Sequence, residues 1–184
     1  ASFLTYEYKD APQCLDYFGL NYYCNILLDS ANKTEGYREG AIKTDMRYPI
    51  CAEGFYRALK QVDELGVPIY VTENGIADAK DDRRDIWIKR YLYSLHKAIE
   101  EGVNVKGFFY WSLMDNFEWN LGYSKKFGLY EVDLKTQERK LRNGARWFVE
   151  VVNNTYKSEN IFSEPVTSGS QRVASYIVNL SGIN

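Results

Sequence analysis

One carboxylate in this chain sits where chemistry is expected. Glu73 directly follows the apolar run Ile69-Tyr70-Val71 within Thr72-Glu73-Asn74-Gly75. A charge placed at the end of a buried-type strand must be paired or put to use, because an unpaired buried charge is expensive. A helix cap or a salt bridge is the structural alternative at that position. Gly75 is expected to permit a sharp exit from the strand by relaxing the backbone limits. Further on, the segment Tyr110–Trp119 holds two indoles, Trp111 and Trp119, and a carboxylate, Glu118. Sugar C–H faces stack on indole rings, and carboxylates accept pairs of hydroxyl hydrogens, so this combination suits a carbohydrate site. A phenol, Tyr23, closes the aromatic run Asp16–Tyr23 (DYFGLNYY).

The elements that must position these groups alternate. Asp16–Tyr23 reads as a strand and Asp29–Tyr48 as a long loop. Ala52–Leu65 carries Phe55, Leu59, Val62 and Leu65 at helical spacing, and Gly66 stops it. Pro68–Thr72 is a buried-type strand with β-branched residues. A charged loop, Ala77–Arg83, leads to a second helix, Arg84–Glu101, with the stripe Trp87, Tyr91, Leu95, Ala98 and Ile99 and a stop at Gly102. Val105–Trp111 is a third strand and Ser112–Lys126 an aromatic loop. Phe127–Asp133 with Thr136–Lys140 suggests a hairpin, and Leu141–Asn153 a third helix with Ala145, Phe148, Val149 and Val152 inward. Residues 1–156 thus read as one structural unit. Residues 157–184 form a Ser-rich tail expected to be loosely ordered.

Three strand-then-helix units imply parallel strands with crossover helices, as a doubly wound sheet or part of a (β/α)8 barrel. Either way the reactive groups belong at the carboxyl ends of the strands, where Tyr23, Glu73 and Trp111 lie. No Gly-rich phosphate turn follows any strand, which argues against a nucleotide-binding doubly wound domain.

Composition excludes several classes. The 184 residues are 45% apolar, 26% charged and 16% aromatic, which is globular. A formal charge of −2 points to neither nucleic acid nor an anionic membrane surface. No apolar run reaches the ~18 residues of a membrane span. Cys14, Cys24 and Cys51 are an odd count without metal-like spacing, which disfavours a disulfide framework and favours a reducing, cytoplasmic setting.

The segments FGLNYY (Phe18–Tyr23), YVTENG (Tyr70–Gly75) and YWSLMDNFEWNLGYSKKFGLYEVD (Tyr110–Asp133) together resemble the C-terminal part of glycoside hydrolase family 1, the β-glucosidase family. The resemblance runs from about Asp10 to Val152. It implies strands six to eight of a (β/α)8 barrel, and an enzyme hydrolysing β-glucosides or β-galactosides with retention. By this likeness Glu73 is the nucleophile that forms a glycosyl-enzyme ester, and Tyr23 orients it. Trp111 is the platform under the glycone ring, Glu118 and Trp119 hold its hydroxyls, and Phe127 packs at the pocket wall. Asn21 is a neighbour in the motif. No metal or organic cofactor is implied.

A retaining glycosidase needs two carboxyls ~5–5.5 Å apart. The family's acid/base Glu belongs to an Asn-Glu-Pro motif that does not occur here, and Ser163-Glu164-Pro165 falls in the tail. The expected partners are therefore a β-glycoside or oligosaccharide and the N-terminal half of the barrel, in the same or a separate chain. A chain beginning at Ala1 without Met reads as a fragment. A split-enzyme subunit and a non-catalytic sugar-binding relic are the alternatives. Family members that take 6-phospho-sugars carry a small residue where Glu118 stands, so a non-phosphorylated glycone is expected. His96, within a helix, is assigned a surface or packing role.

Overall fold

The structure, a computed structural model, describes residues 15–28, 34–36 and 40–158; of 27–28, 34–36 and 154–158 it describes the backbone only. Strand β1 is Phe18–Asn21. Short strands β2 (Leu27–Leu28) and β3 (Thr34–Gly36) form an antiparallel pair, β2 just before the segment expected to be loop and β3 within it. Helix α1 (Ala52–Asp63) leads to β4 (Ile69–Asn74), and helix α2 (Arg84–Glu100) to β5 (Val105–Tyr110). A 3-10 turn, Trp119–Ser124, interrupts the aromatic loop. The hairpin strands are β6 (Tyr130–Val132) and β7 (Arg139–Leu141), followed by a 3-10 turn at Asn143–Ala145 and helix α3, Arg146–Ser158.

Strands β1, β4 and β5 form a parallel sheet in that order. Its helix side is apolar, with Ile69 and Val71 fully buried and Phe108 nearly so. Against it lie Phe55 and Leu59 of α1, Trp87, Tyr91 and Leu95 of α2, and Phe148 of α3, all in one cluster. Full burial of each large apolar side chain contributes about 1.5–3 kcal/mol. Trp87 stacks on Tyr91 with centroids 4.0 Å apart, as the i, i+4 spacing on α2 requires. Gly66 and Gly102 end the first two helices at φ of 68° and 94°, in the left-handed region that stops a helix.

The other side of the sheet has no helix on it among the described residues. Tyr17 meets Tyr70 edge-on there. A Cβ on Gly19 would point at Thr72, and one on Gly107 at Tyr70. Tyr17 is 57% and Phe109 51% exposed on this face. Three helices on one side of a parallel sheet is barrel-type packing, since a doubly wound sheet carries helices on both. No helix among the described residues is long and apolar enough to cross a membrane.

Three expectations need correction. The third helix was expected from Leu141, but Leu141 pairs with Tyr130 in the hairpin. Arg142 next to it is drawn inward to Asp115 and so stays extended, which delays the helix to Arg146. Leu65, placed at helical spacing within the first helix, lies beyond it and is 48% exposed, because the helix ends at Asp63. Helix α3 continues to Ser158, past the end expected at Asn153. The rest of the tail, 159–184, and Cys14 lie outside the described residues.

Candidate active site at the carboxyl rim of the sheet

The register of the sheet sets out the rim. Asn21 at the end of β1 pairs with Glu73 near the end of β4, and the Tyr22 amide donates to the Glu73 carbonyl at 2.9 Å. Asn74 pairs with Tyr110, and the Trp111 amide donates to the Asn74 carbonyl at 3.0 Å. Three strand ends therefore deliver Asn21, Tyr23, Glu73 and Trp111 to one edge. The extended backbone carries Tyr23 over towards β4. Its hydroxyl donates to Glu73 Oε2 at 2.7 Å.

Burial, and then the hydrogen bond to Glu73, raise the Tyr23 phenol well above its ordinary range, with the negative charge of Glu118 adding to the shift. Tyr23 is thus held protonated, a fixed donor to the carboxylate. The Phe127 ring, only 3% exposed, stands edge-on to Tyr23 at 6.3 Å.

Other residues read from the sequence occupy distinct places. Asn21 Oδ1 accepts from Thr72 Oγ1 at 2.6 Å on the open face. Trp111 is half-buried, and its peptide bond to Ser112 is cis. Glu118 is half-buried and precedes the 3-10 turn, its amide donating to Gly122 O at 2.7 Å. Trp119 is 83% exposed, so the structure leaves its ring in solvent rather than against Glu73 or Tyr23. Asn74 points inward and donates to Tyr22 O at 2.5 Å. His96 lies on α2 beside Glu100, Nε2 3.2 Å from its carboxylate, far along the chain from the rim.

Asp115 is excluded from the chemistry by its partners. Its Oδ2 accepts from Arg142 Nη2 at 2.7 Å, and its Oδ1 from the Gly128 amide at 3.1 Å. It is a buried ion pair anchoring the aromatic loop to the hairpin.

Two arginines where the charged loop meets α2 were not singled out from sequence. Arg83 bridges Asp45 and Asp78 at 2.7 and 2.8 Å. Arg84 is completely buried and donates to carbonyls in both rim loops. Adjacent acids and bases in Asp81-Asp82-Arg83-Arg84 look like a solvated surface run. Only the fold shows which of them turns inward.

A one-sided parallel β/α sheet with a phenol-bound carboxylate and aromatic rings at its carboxyl rim has the architecture of part of a β/α barrel with its site at the strand ends. The model of glycosyl hydrolase family 1 matches residues 2–157, and the chain belongs to that family. A β-galactosidase of Pyrococcus woesei is 38% identical over 180 residues, covering 84% of this chain and 35% of the relative. β-Glucosidase A of Thermotoga maritima is 39% identical over 171 residues, covering 83% and 38%. The solved family 1 β-glucosidase from Thermotoga maritima superposes with a TM-score of 0.69 at 39% identity, over 76% of this chain and 35% of that one. The chain spans little more than a third of the length of these relatives.

Proposed function

We propose that this chain forms strands six to eight of a (β/α)8 barrel belonging to a retaining β-glycosidase that acts on β-glucosides or β-galactosides. The observation that carries the reading is the 2.7 Å hydrogen bond from Tyr23 to Glu73 Oε2 at the strand rim. Glu73 is the nucleophile. It attacks the anomeric carbon, the glycosidic C–O bond breaks, and a glycosyl ester forms. Water then hydrolyses that ester and restores the carboxylate. Tyr23 holds the attacking carboxylate in one orientation. Trp111 supports the glycone face, and Glu118 and Trp119 take its outer hydroxyls, with Asn21 and Phe127 lining the same site.

The acid/base carboxyl comes from the fourth strand of the barrel, among the five strands that complete it between the edges of β1 and β5. Those strands are the chain's macromolecular partner, in the same polypeptide or a separate one. Placement in the cytoplasm belongs to this reading and is supported by the free thiols of Cys24 and Cys51. The glycone is non-phosphorylated, because the Glu118 carboxylate would repel a phosphate.

The test uses the product of the full reading frame that encodes residues 1–184. A 2-deoxy-2-fluoro-β-glucoside with a good leaving group is expected to label the peptide containing Glu73, and Glu73→Gln to abolish both label and turnover. Labelling of another residue, or undiminished turnover by Glu73→Gln, would overturn the assignment. Faster turnover of a 6-phospho-β-glucoside than of the plain one would overturn the glycone reading.

A further inference from the structure

We infer that Arg84 is a positioning residue for Glu73, acting through Phe127 and Tyr23; the inference rests on the reading of Glu73 as nucleophile. Arg84 opens α2 behind the sheet, with no exposed surface. Its Nε meets Asp81 Oδ1 at 2.9 Å, which neutralises the charge. The remaining contacts divide between two loops. On the segment that follows Glu73, Nη1 donates to Ile76 O at 3.1 Å and Nη2 to Asp78 O at 2.9 Å. On the segment that follows Glu118, Nη1 donates to Phe127 O at 3.1 Å and Nη2 to Lys126 O at 3.0 Å. Nη1 also meets Tyr110 Oη at 2.7 Å, at the end of β5.

A guanidinium presents its donors in one rigid plane. Bonded to carbonyls on both loops, it fixes the distance between the chain leaving Glu73 and the chain carrying Phe127. The Phe127 ring in turn stands edge-on to Tyr23, and Tyr23 donates to Glu73. The path from Arg84 to the carboxylate therefore consists of one charge-assisted hydrogen bond, one ring contact and one hydrogen bond. Arg142 also pairs one nitrogen with a carboxylate, Asp115, and another with a carbonyl, Gly128 O, but both acceptors lie on the aromatic loop and its exit. Arg84 instead reaches the segments that follow both Glu73 and Glu118. At Arg84 the ion pair uses one donor nitrogen, and the other two serve the rim. An apolar side chain of equal volume could fill the space but could not set the spacing.

The experiment is a double-mutant cycle on the full-reading-frame product, with Arg84→Met, Tyr23→Phe and both together. The readouts are the first-order rate of covalent labelling by the fluoroglucoside at saturation, and kcat and KM for a nitrophenyl β-glucoside. Each single change is expected to slow labelling by about 10- to 100-fold, as a displaced reacting group does, and to lower kcat with KM nearly constant. The double variant is expected to be no slower than the slower single one, because both break the same path. Multiplicative losses in the double variant would overturn the inference, since a residue that acts only on stability is independent of Tyr23. If Arg84→Met does not fold, Phe127→Leu replaces it in the cycle, removing the ring contact and leaving the carbonyl, and multiplicative losses there overturn the inference equally. Full turnover by Glu73→Gln would instead remove the underlying assignment, so the two failures are distinguishable.

Discussion

Gly75 and Trp111 touch backbone to backbone: a Cβ on Gly75 would run into the carbonyl oxygen and carbonyl carbon of Trp111. Gly75 was expected to provide a sharp turn out of the strand. It is not among the glycines with positive φ, so the demand is for space. The absent side chain lets the exit of β4 lie against the exit of β5, which sets Glu73 and Trp111 side by side.

Gly75→Ala therefore forces the two strand exits apart. The collision is with backbone, which no rotamer change relieves, and overpacking of this kind costs about 1–3 kcal/mol. In the full-length protein it is expected to reduce kcat by about 100-fold and to shift the Trp emission. Steady-state kinetics and fluorescence on the same sample check this. Wild-type turnover would show that the exits can separate without disturbing the rim.

Asp115→Asn leaves Arg142 buried without its carboxylate. Removing one partner of a buried pair destabilises by about 3–5 kcal/mol. Urea unfolding of the full-length protein should show that loss. A cost below about 1 kcal/mol, the range of exposed pairs, would mean that water reaches the Arg142 guanidinium.

Alkali should unfold the protein through its tyrosines. Burial raises Tyr22, Tyr23 and Tyr91 above the ordinary phenol value, which is about 10. Above that pH the unfolded chain has released phenolic protons that the native state still holds. The unfolded state then binds fewer protons, so stability falls as pH rises. Below it the contribution is fully present. In a titration followed by tyrosinate absorbance and circular dichroism, these phenols are expected to ionise only as the fold is lost. Three phenols titrating near pH 10 with the fold intact would contradict their burial.

The 184-residue chain by itself should associate. Among the described residues, Tyr17 and Phe109 are more than half exposed on the face without helices, and the outer strands β1 and β5 each have one paired side. Exposed apolar faces and open strand edges promote self-pairing. Light scattering after size exclusion should report oligomers or aggregates, with no glycoside turnover. Tyr17→Lys with Phe109→Lys should raise solubility. A monodisperse monomer by light scattering would show that another part of the chain covers that face.

The order of strands and helices was legible because it depends on local chemistry. Val, Ile and aromatic runs mark β4 and β5, and the 3.6-residue stripe marks α1 and α2. The candidate residues Tyr23, Glu73 and Trp111 were legible because a parallel sheet delivers the ends of its strands to one rim. Their family likeness was legible because those motifs are contiguous in the chain. What the amino-acid order could not specify was which charges turn inward. Arg84 and Arg142 look like surface residues in their local context, and their burial depends on carbonyls and carboxylates up to 43 positions away. The same holds for Phe127 beside Tyr23 and for the late start of α3. These outcomes belong to tertiary structure because a buried charge takes its place from acceptors that only the folded chain brings within reach.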